Sequence, residues 1–216
     1  MKPNGSFAKA ALAAVVCLTL GGCISLLPKV KPVQLYRFGA ATAPAAAVSP
    51  APALTIVRGN IDFDSAAATD RILTVEGADA AYIAGGRWVS PAPVLFQEAL
   101  MRAFQAAPGP ARLVGRTRLS RASLVLNLDV QAFEARYDHG RDNAPLVAIQ
   151  VHAVLLGRED GQPVGEKTFT ATARAGDNRI GAIVDAYDQA LNALFADLIG
   201  WSGGFASQAA APAGTE

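Results

Sequence analysis

Three consecutive stretches over residues 123–175 alternate apolar and polar side chains with a period of two. In SLVLNLDVQAFEA, Leu124, Leu126, Leu128 and Val130 are apolar, while Asn127, Asp129 and Gln131 between them are polar. PLVAIQVHAVLLG repeats the pattern, with Val147, Ile149, Val151, Ala153 and Leu155 on one side. Successive side chains of a strand point to opposite faces, so each stretch reads as a strand with one dry and one wet face. Arg158-Glu159-Asp160-Gly161-Gln162 holds the Asp-Gly pair of a tight hairpin, and PVGEKTFTATARA follows as a third strand with Thr168, Thr170 and Thr172 exposed. Long strands joined by short turns form an antiparallel meander. Its apolar face has to be covered by a second layer.

Two helical patterns supply that cover. Pro91 sits where a first-turn proline belongs, ahead of APVLFQEALMRAFQAA, whose Phe96, Leu100, Ala103 and Phe104 fall at helical spacing up to the Pro108-Gly109-Pro110 breaker. Farther on, Ile180, Ile183, Val184, Tyr187, Leu191, Leu194, Phe195 and Leu198 form one apolar stripe on a longer helix, which Asp177 or Asn178 can cap. LTIVRGNIDF, RILTVEG and AAYIAGGRWV read as strands, the last broken or bulged at Gly85-Gly86. VQLYRF and ARLVG read as shorter ones. The expected fold is α+β: a two-layer sandwich whose largely antiparallel sheet contains a three-strand meander, with two main helices packed on one face. There is no internal repeat and no second core.

The start of the chain has a different character. Met1, Lys2 and Lys9 precede an uncharged run from Ala10 to Leu20, and Gly21-Gly22-Cys23 follows. This is the layout of a secretory signal, a basic start, a short apolar segment and small residues for a peptidase. The run is little more than half the roughly 20 apolar residues that a membrane span needs. Leu20-Gly21-Gly22-Cys23 also resembles the bacterial lipobox, in which the cysteine is acylated, by palmitate among other chains, and becomes the new N-terminus. The alternative is an ordinary secretory signal that happens to contain a cysteine. The position of the pattern, where a cleavage site belongs, favours lipid attachment at Cys23.

The expected organisation is therefore a signal peptide over 1–22, a lipid-anchored tether with a short first strand over 23–53, a globular domain over 54–200 and a disordered tail over 201–216. The alanine and proline stretch ATAPAAAVSPAPA suits a semi-extended linker. Cys17 would leave with the signal, which removes thiol catalysis and cysteine metal sites from consideration. Loss of Lys2 and Lys9 takes two of 19 basic residues and none of 18 acidic ones, so the remainder is near neutral. Such a surface gives no general electrostatic case for nucleic acid.

Catalytic residues, cofactors and metals are not expected. His139 lies in the polar connection RYDHGRDNAP and His152 alternates with core positions, so neither has a partner at ligand or catalytic spacing. No HExxH or GxxxxGK[ST] string occurs. Asp62, Asp64 and Asp70 could in principle meet a hard cation, but a strand end lacks the looped backbone and the six to eight oxygens that calcium usually takes. Arg112, Arg116, Arg118 and Arg121 read as a solvated loop, with an acidic headgroup or acidic partner as the other possibility. In GGRWVSPAP, Trp88 just before a proline-started helix reads as a core residue sealing the corner, or else as a binding aromatic.

Taken together, the lipobox, the YRF first strand, the Tyr82–Gly86 strand leading into Arg87-Trp88 and Pro91, the Leu/Phe-rich helix, the meander and the final helix resemble the ABC-type transport auxiliary lipoproteins. The paraquat-inducible lipoprotein type is among them. The resemblance runs from Cys23 to about Gly200, its domain part from about residue 33, with Arg87-Trp88 and Pro91 as its most specific element. The stretch from Ala40 to Ala53 is longer than the minimal family pattern. What the resemblance implies is a non-enzymatic, outer-membrane-anchored accessory of a lipid transport system. Its partners would be an ABC permease and ATPase, a mammalian-cell-entry subunit and, through lipidated Cys23, the membrane; a homo-oligomer is possible. Ile24 supports outer-membrane sorting, since the usual retention signal is an aspartate there. Trp88, Tyr82 and Arg87 are the candidate partner contacts, provided they are exposed. The alternative function is a periplasmic module that carries a hydrophobic ligand in a groove between helix and sheet.

Overall fold

A computed structural model describes residues 32–39, 54–115 and 123–210, with the backbone alone for 207–210. Cys23, the signal segment, most of the tether, and Arg116, Arg118 and Arg121 lie outside the described residues. The described elements are β1 (Gln34–Tyr36), β2 (Leu54–Phe63), β3 (Arg71–Glu76), β4 (Asp79–Trp88), α1 (Ala92–Ala106), β5 (Ala111–Val114), β6 (Leu124–Arg136), β7 (Leu146–Gly157), β8 (Pro163–Arg174) and α2 (Ile180–Ala210). The class is α+β, with the helices layered on one eight-stranded sheet.

β6 is the hub of that sheet. One of its edges pairs antiparallel with β7 from Leu124 to Arg136, and β7 in turn pairs antiparallel with β8, which is the expected meander. The other edge is shared between two strands. β2 runs parallel to its first half, as in Ile56 opposite Leu124 and Phe63 opposite Val130, and β3 runs parallel to its last residues, Ala135 and Arg136. β5 adds to β2 and β1 adds to β4, both parallel. The sheet is thus mixed: β6–β7–β8 and β3–β4 pair antiparallel, and β1, β2, β3 and β5 also meet parallel neighbours. Period-two patterning reports which face of a strand is dry but not which way its neighbour runs, so the parallel additions carry no local signal.

The bulges re-aim side chains. Gln131 is the extra residue between Val130 and Ala132 in the β6–β7 register, and it switches the core positions of β6 from even to odd numbers, so that Phe133 and Ala135 are buried. In β4 the register with β3 slips between Tyr82 and Arg87, with Gly85 at φ +82°. This is the interruption read at Gly85-Gly86, and a left-handed φ there favours glycine.

The dry face of the meander carries Leu126, Leu128, Val130, Val147, Ile149, Val151, Ala153 and Leu155, all at most 2% exposed. Against them pack Leu95, Phe96, Ala99, Leu100 and Phe104 of α1 and the Ile183 to Leu198 stripe of α2. The wet face carries Gln131, Gln150, His152 and the three threonines of β8.

Two expectations change. The final helix does not stop at Gly200 but runs to Ala210, so residues 201–210 are helical rather than a disordered tail. Gly203 and Gly204 disfavour this locally, yet tertiary packing prevails. Trp201 stacks edge-on against Phe169 (5.6 Å) and Phe205 (5.3 Å), Ser202 is buried and donates to Leu198 O (2.7 Å), and Phe205 covers Gly165. The side chains expected to cap this helix are used elsewhere. Asp177 pairs with Arg179, and Asn178 bridges to the β6–β7 connection, accepting from Tyr137 Oη (2.8 Å) and donating to Arg141 O (2.6 Å). Among the described residues no helix is long and apolar enough to cross a membrane.

Candidate functional site

Trp88 ends β4 and is only 2% exposed. It is a core residue rather than a partner contact, because the β4 bulge turns its indole inward between Phe38 (4.9 Å, edge-on) and Tyr187 (5.2 Å, edge-on). Phe133 completes the cluster at 5.2 Å from Phe38 and 4.8 Å from Tyr187. Phe96 links it to Phe63 and Phe195. Edge-to-face and tilted pairs at these spacings add to the burial energy of each ring. These rings occupy the space between helices and sheet, where the alternative function places a hydrophobic ligand.

Arg87 and Tyr82 are different. Arg87 points to the opposite face from Trp88 and is half exposed, with Nη1 3.1 Å from Asp70 Oδ2. Tyr82 is half buried, donates its hydroxyl to Ala66 O (3.1 Å) and lies under the Arg71 guanidinium at 3.9 Å. β4 therefore divides the predicted trio: Trp88 seals the core, while Arg87 and Tyr82 form part of a charged margin with Arg71 and Asp70. Cys23 lies outside the described residues.

Phe38 carries a role that the sequence reading did not assign. Just past β1 it is fully buried, and the next residue is latched between the two helices. Gly39 N–H donates to Asp188 on α2, and Arg102 on α1 donates to Gly39 O (3.1 Å). Gly39 has φ +72°, and a Cβ there would meet Ala99 Cβ at 2.5 Å. Burial raises the Asp188 carboxyl above the ordinary carboxylate range; the Gly39 amide opposes this and Asp185 adds to it. Tyr187 Oη is buried with no hydrogen-bond partner among the described residues, and burial, with a contribution from Glu134, pushes its phenol up. A glycine after an aromatic, ahead of a low-complexity stretch, was the available signal for this latch. It says nothing about which helices would receive it.

The polar end of the molecule lies around the β6–β7 connection. Arg174 grips Asp138 with two hydrogen bonds (Nη1–Oδ1 2.9 Å, Nη2–Oδ2 2.5 Å) and holds its carboxyl down at about 2. His139 is exposed, 3.4 Å from the same carboxylate. Arg141 pairs with Glu76 and Arg136 with Glu134. Val75, Gly77, Glu134, Arg136, Tyr137 and Asp138 line a shallow hollow of about 380 Å³. Its carboxylates are each committed to an arginine, so His139 faces a clamped acid rather than a free one.

Elsewhere, His152 lies on the wet face, 3.3 Å from both Thr168 Oγ1 and Glu166 Oε1. Asp64 caps a turn through Ala66 N–H (2.9 Å), Asp70 serves Arg87, and no group of three metal-ligating side chains occurs among the described residues. Arg112 is exposed on β5.

These features define a two-layer α+β domain with a dry, ring-filled interior and ion pairs spread over its surface. The chain belongs to the ABC-type transport auxiliary lipoprotein component family, whose profile matches residues 36–198, from the end of β1 to near the end of the α2 stripe. The family identifies the protein as a lipoprotein auxiliary to ABC-type transport and points to the bacterial envelope. The fold is similar to that of a DUF330-family protein from Xanthomonas campestris (20% identity, TM-score 0.67, covering 82% of this chain and 98% of that one). An uncharacterised protein of known structure is similar at 14% identity and TM-score 0.62, covering 79% and 99%. A hypothetical protein from Chlamydia trachomatis is similar at 8% identity and TM-score 0.50, covering 72% and 98%. At these identities the likeness concerns the fold. No curated protein is matched.

Proposed function

We propose that this protein is a non-enzymatic docking component of an ABC-type lipid transport system with a mammalian-cell-entry subunit, held on the periplasmic side of the outer membrane by acyl chains on Cys23. The family match over residues 36–198 carries this reading. The filled interlayer space favours an adaptor over a lipid carrier, since Phe38, Trp88, Phe96, Phe133 and Tyr187 are each at most 2% exposed and occupy the volume an acyl chain would need. The mechanism is positional. Lipid on Cys23 holds the chain at the bilayer, the tether sets its reach, and the rigid domain presents its surfaces to the transporter's periplasmic part.

In-cell crosslinking from exposed positions such as Arg87 tests the reading. Recovery of an ABC permease or a mammalian-cell-entry protein is the expected result, and recovery of unrelated envelope proteins alone sinks it. Native mass spectrometry of the purified protein separates adaptor from carrier: stoichiometric co-purified lipid, beyond the chains on Cys23, would favour the carrier.

A further inference from the structure

The wet face of the sheet is not uniformly wet. Over β6 to β8 it carries Gln131, Gln150, His152, Thr168 and Thr170, but at the β1–β4 margin exposed apolar side chains stand beside the Arg87–Asp70 ion pair. Leu35 is 60% exposed, and Val33 and Val89 are each 43% exposed. Leu35 stands opposite Arg87 in the parallel register, away from the buried Trp88. Val33 is two residues before Leu35, and Val89 donates its amide to Tyr36 O (2.8 Å) as the same ladder continues. Of the five large apolar side chains exposed among the described residues, three therefore share this margin. Val94 and Val164 stand on α1 and β8.

The chain leading into this margin decides what covers it. Nine residues lie between Cys23 and Val33, ten steps along the chain, so even a fully extended tether keeps Val33 within about 35 Å of an anchor on Cys23. That segment contains Lys29 and Lys31 and no acid, and Arg37 follows as an exposed residue. Apolar side chains beside basic ones, close to an acyl anchor, match the boundary between headgroups and acyl chains in an anionic bilayer. A weak contact suffices there, because the anchor has already supplied a high local concentration.

We propose that Val33, Leu35 and Val89 form a membrane-contact surface that seats the β1–β4 margin on an anionic phospholipid bilayer and so sets the orientation of the domain. This rests on the reading of Cys23 as the lipid anchor. In the mature chain Cys17 is gone and Cys23 is a thioether, so an introduced cysteine is the single free thiol. The test uses the mature lipidated protein in phosphatidylethanolamine/phosphatidylglycerol vesicles, carrying a nitroxide at Leu35→Cys or, on the exposed side of α2, at Asn192→Cys. Both positions are exposed, so neither label disturbs the core. The expected result is a severalfold lower collision rate with a water-soluble nickel chelate at Leu35→Cys than at Asn192→Cys, with oxygen access retained. Protein that floats with the vesicles while both labels report water overturns the contact surface alone. Protein that does not float overturns the anchor and the contact surface with it. Equal shielding of Leu35→Cys without vesicles marks a second copy of the chain as the occupant and overturns the proposal.

Discussion

Arg87 and Trp88 are adjacent in sequence and face opposite sides of β4, so their substitution separates surface from core. Trp88→Ala removes a ring that touches Phe38, Phe133 and Tyr187, and a cost of about 3–5 kcal/mol is expected in urea unfolding. Arg87→Ala breaks a half-exposed ion pair with Asp70 and is expected to cost no more than about 1 kcal/mol in the same measurement. Two carboxylates should give opposite pH signatures. Asp138, held at about 2 by Arg174, contributes stability that is complete above its unfolded value and is lost as the pH falls through about 2. Acid titration of unfolding should therefore show a shallower loss below pH 3.8 in Asp138→Asn than in the unaltered protein. Asp188 is raised by burial, so its ionisation disfavours the folded state. Relative to the unaltered protein, Asp188→Asn should gain stability as the pH rises through and above the normal carboxylate range. Identical acid limbs in all three proteins would contradict both assignments.

At the level of elements, the last turns of α2 and the start of β8 specify each other. A Cβ on Gly165 would lie 2.3 Å from Phe205 Cζ, so Gly165→Ala forces the ring aside and is expected to cost about 1–3 kcal/mol. Combining it with Phe205→Ala should recover part of that cost, and a double-mutant cycle reads the coupling directly. Strict additivity would mean that the helix end does not pack on β8. β6 shows the same mutual dependence on a larger scale. Its alternation announces a half-buried strand, but the bulge at Gln131 and the sharing of its second edge between β2 and β3 arise from how three neighbours fit against one strand.

For the whole molecule, family membership makes the protein a lipoprotein auxiliary to ABC-type transport, and the proposed anchor on Cys23 is open to a direct test. Cys23→Ala should shift the protein from the membrane to the soluble fraction on cell fractionation, with signal cleavage checked by intact mass. Membrane retention of a cleaved Cys23→Ala protein would remove the anchor from the mechanism. In the proposed adaptor role, recognition falls to the surface, because rings fill the interior. There Val33, Leu35 and Val89 form an exposed apolar margin.

The sequence by itself determined the strands of the meander, the two helices, the bulge near Gly85 and the α+β class, because each is written in a local period of apolar residues or in a turn residue with one conformational use. The resemblance to the transport auxiliary lipoproteins was likewise legible from Tyr82 to Pro91 and in the order of elements. Only the tertiary structure decided that β1, β2, β3 and β5 add in parallel, that α2 continues to Ala210, and that Gly39, next to buried Phe38, is latched between two helices far from it in sequence. It also decided the candidate contacts: Arg87 and Trp88 look equivalent in a string of letters, and burial alone makes one a surface residue and the other part of the core. Such features depend on contacts between residues distant along the chain, where hydrophobic burial outweighs the local preferences of glycine-rich or low-complexity stretches.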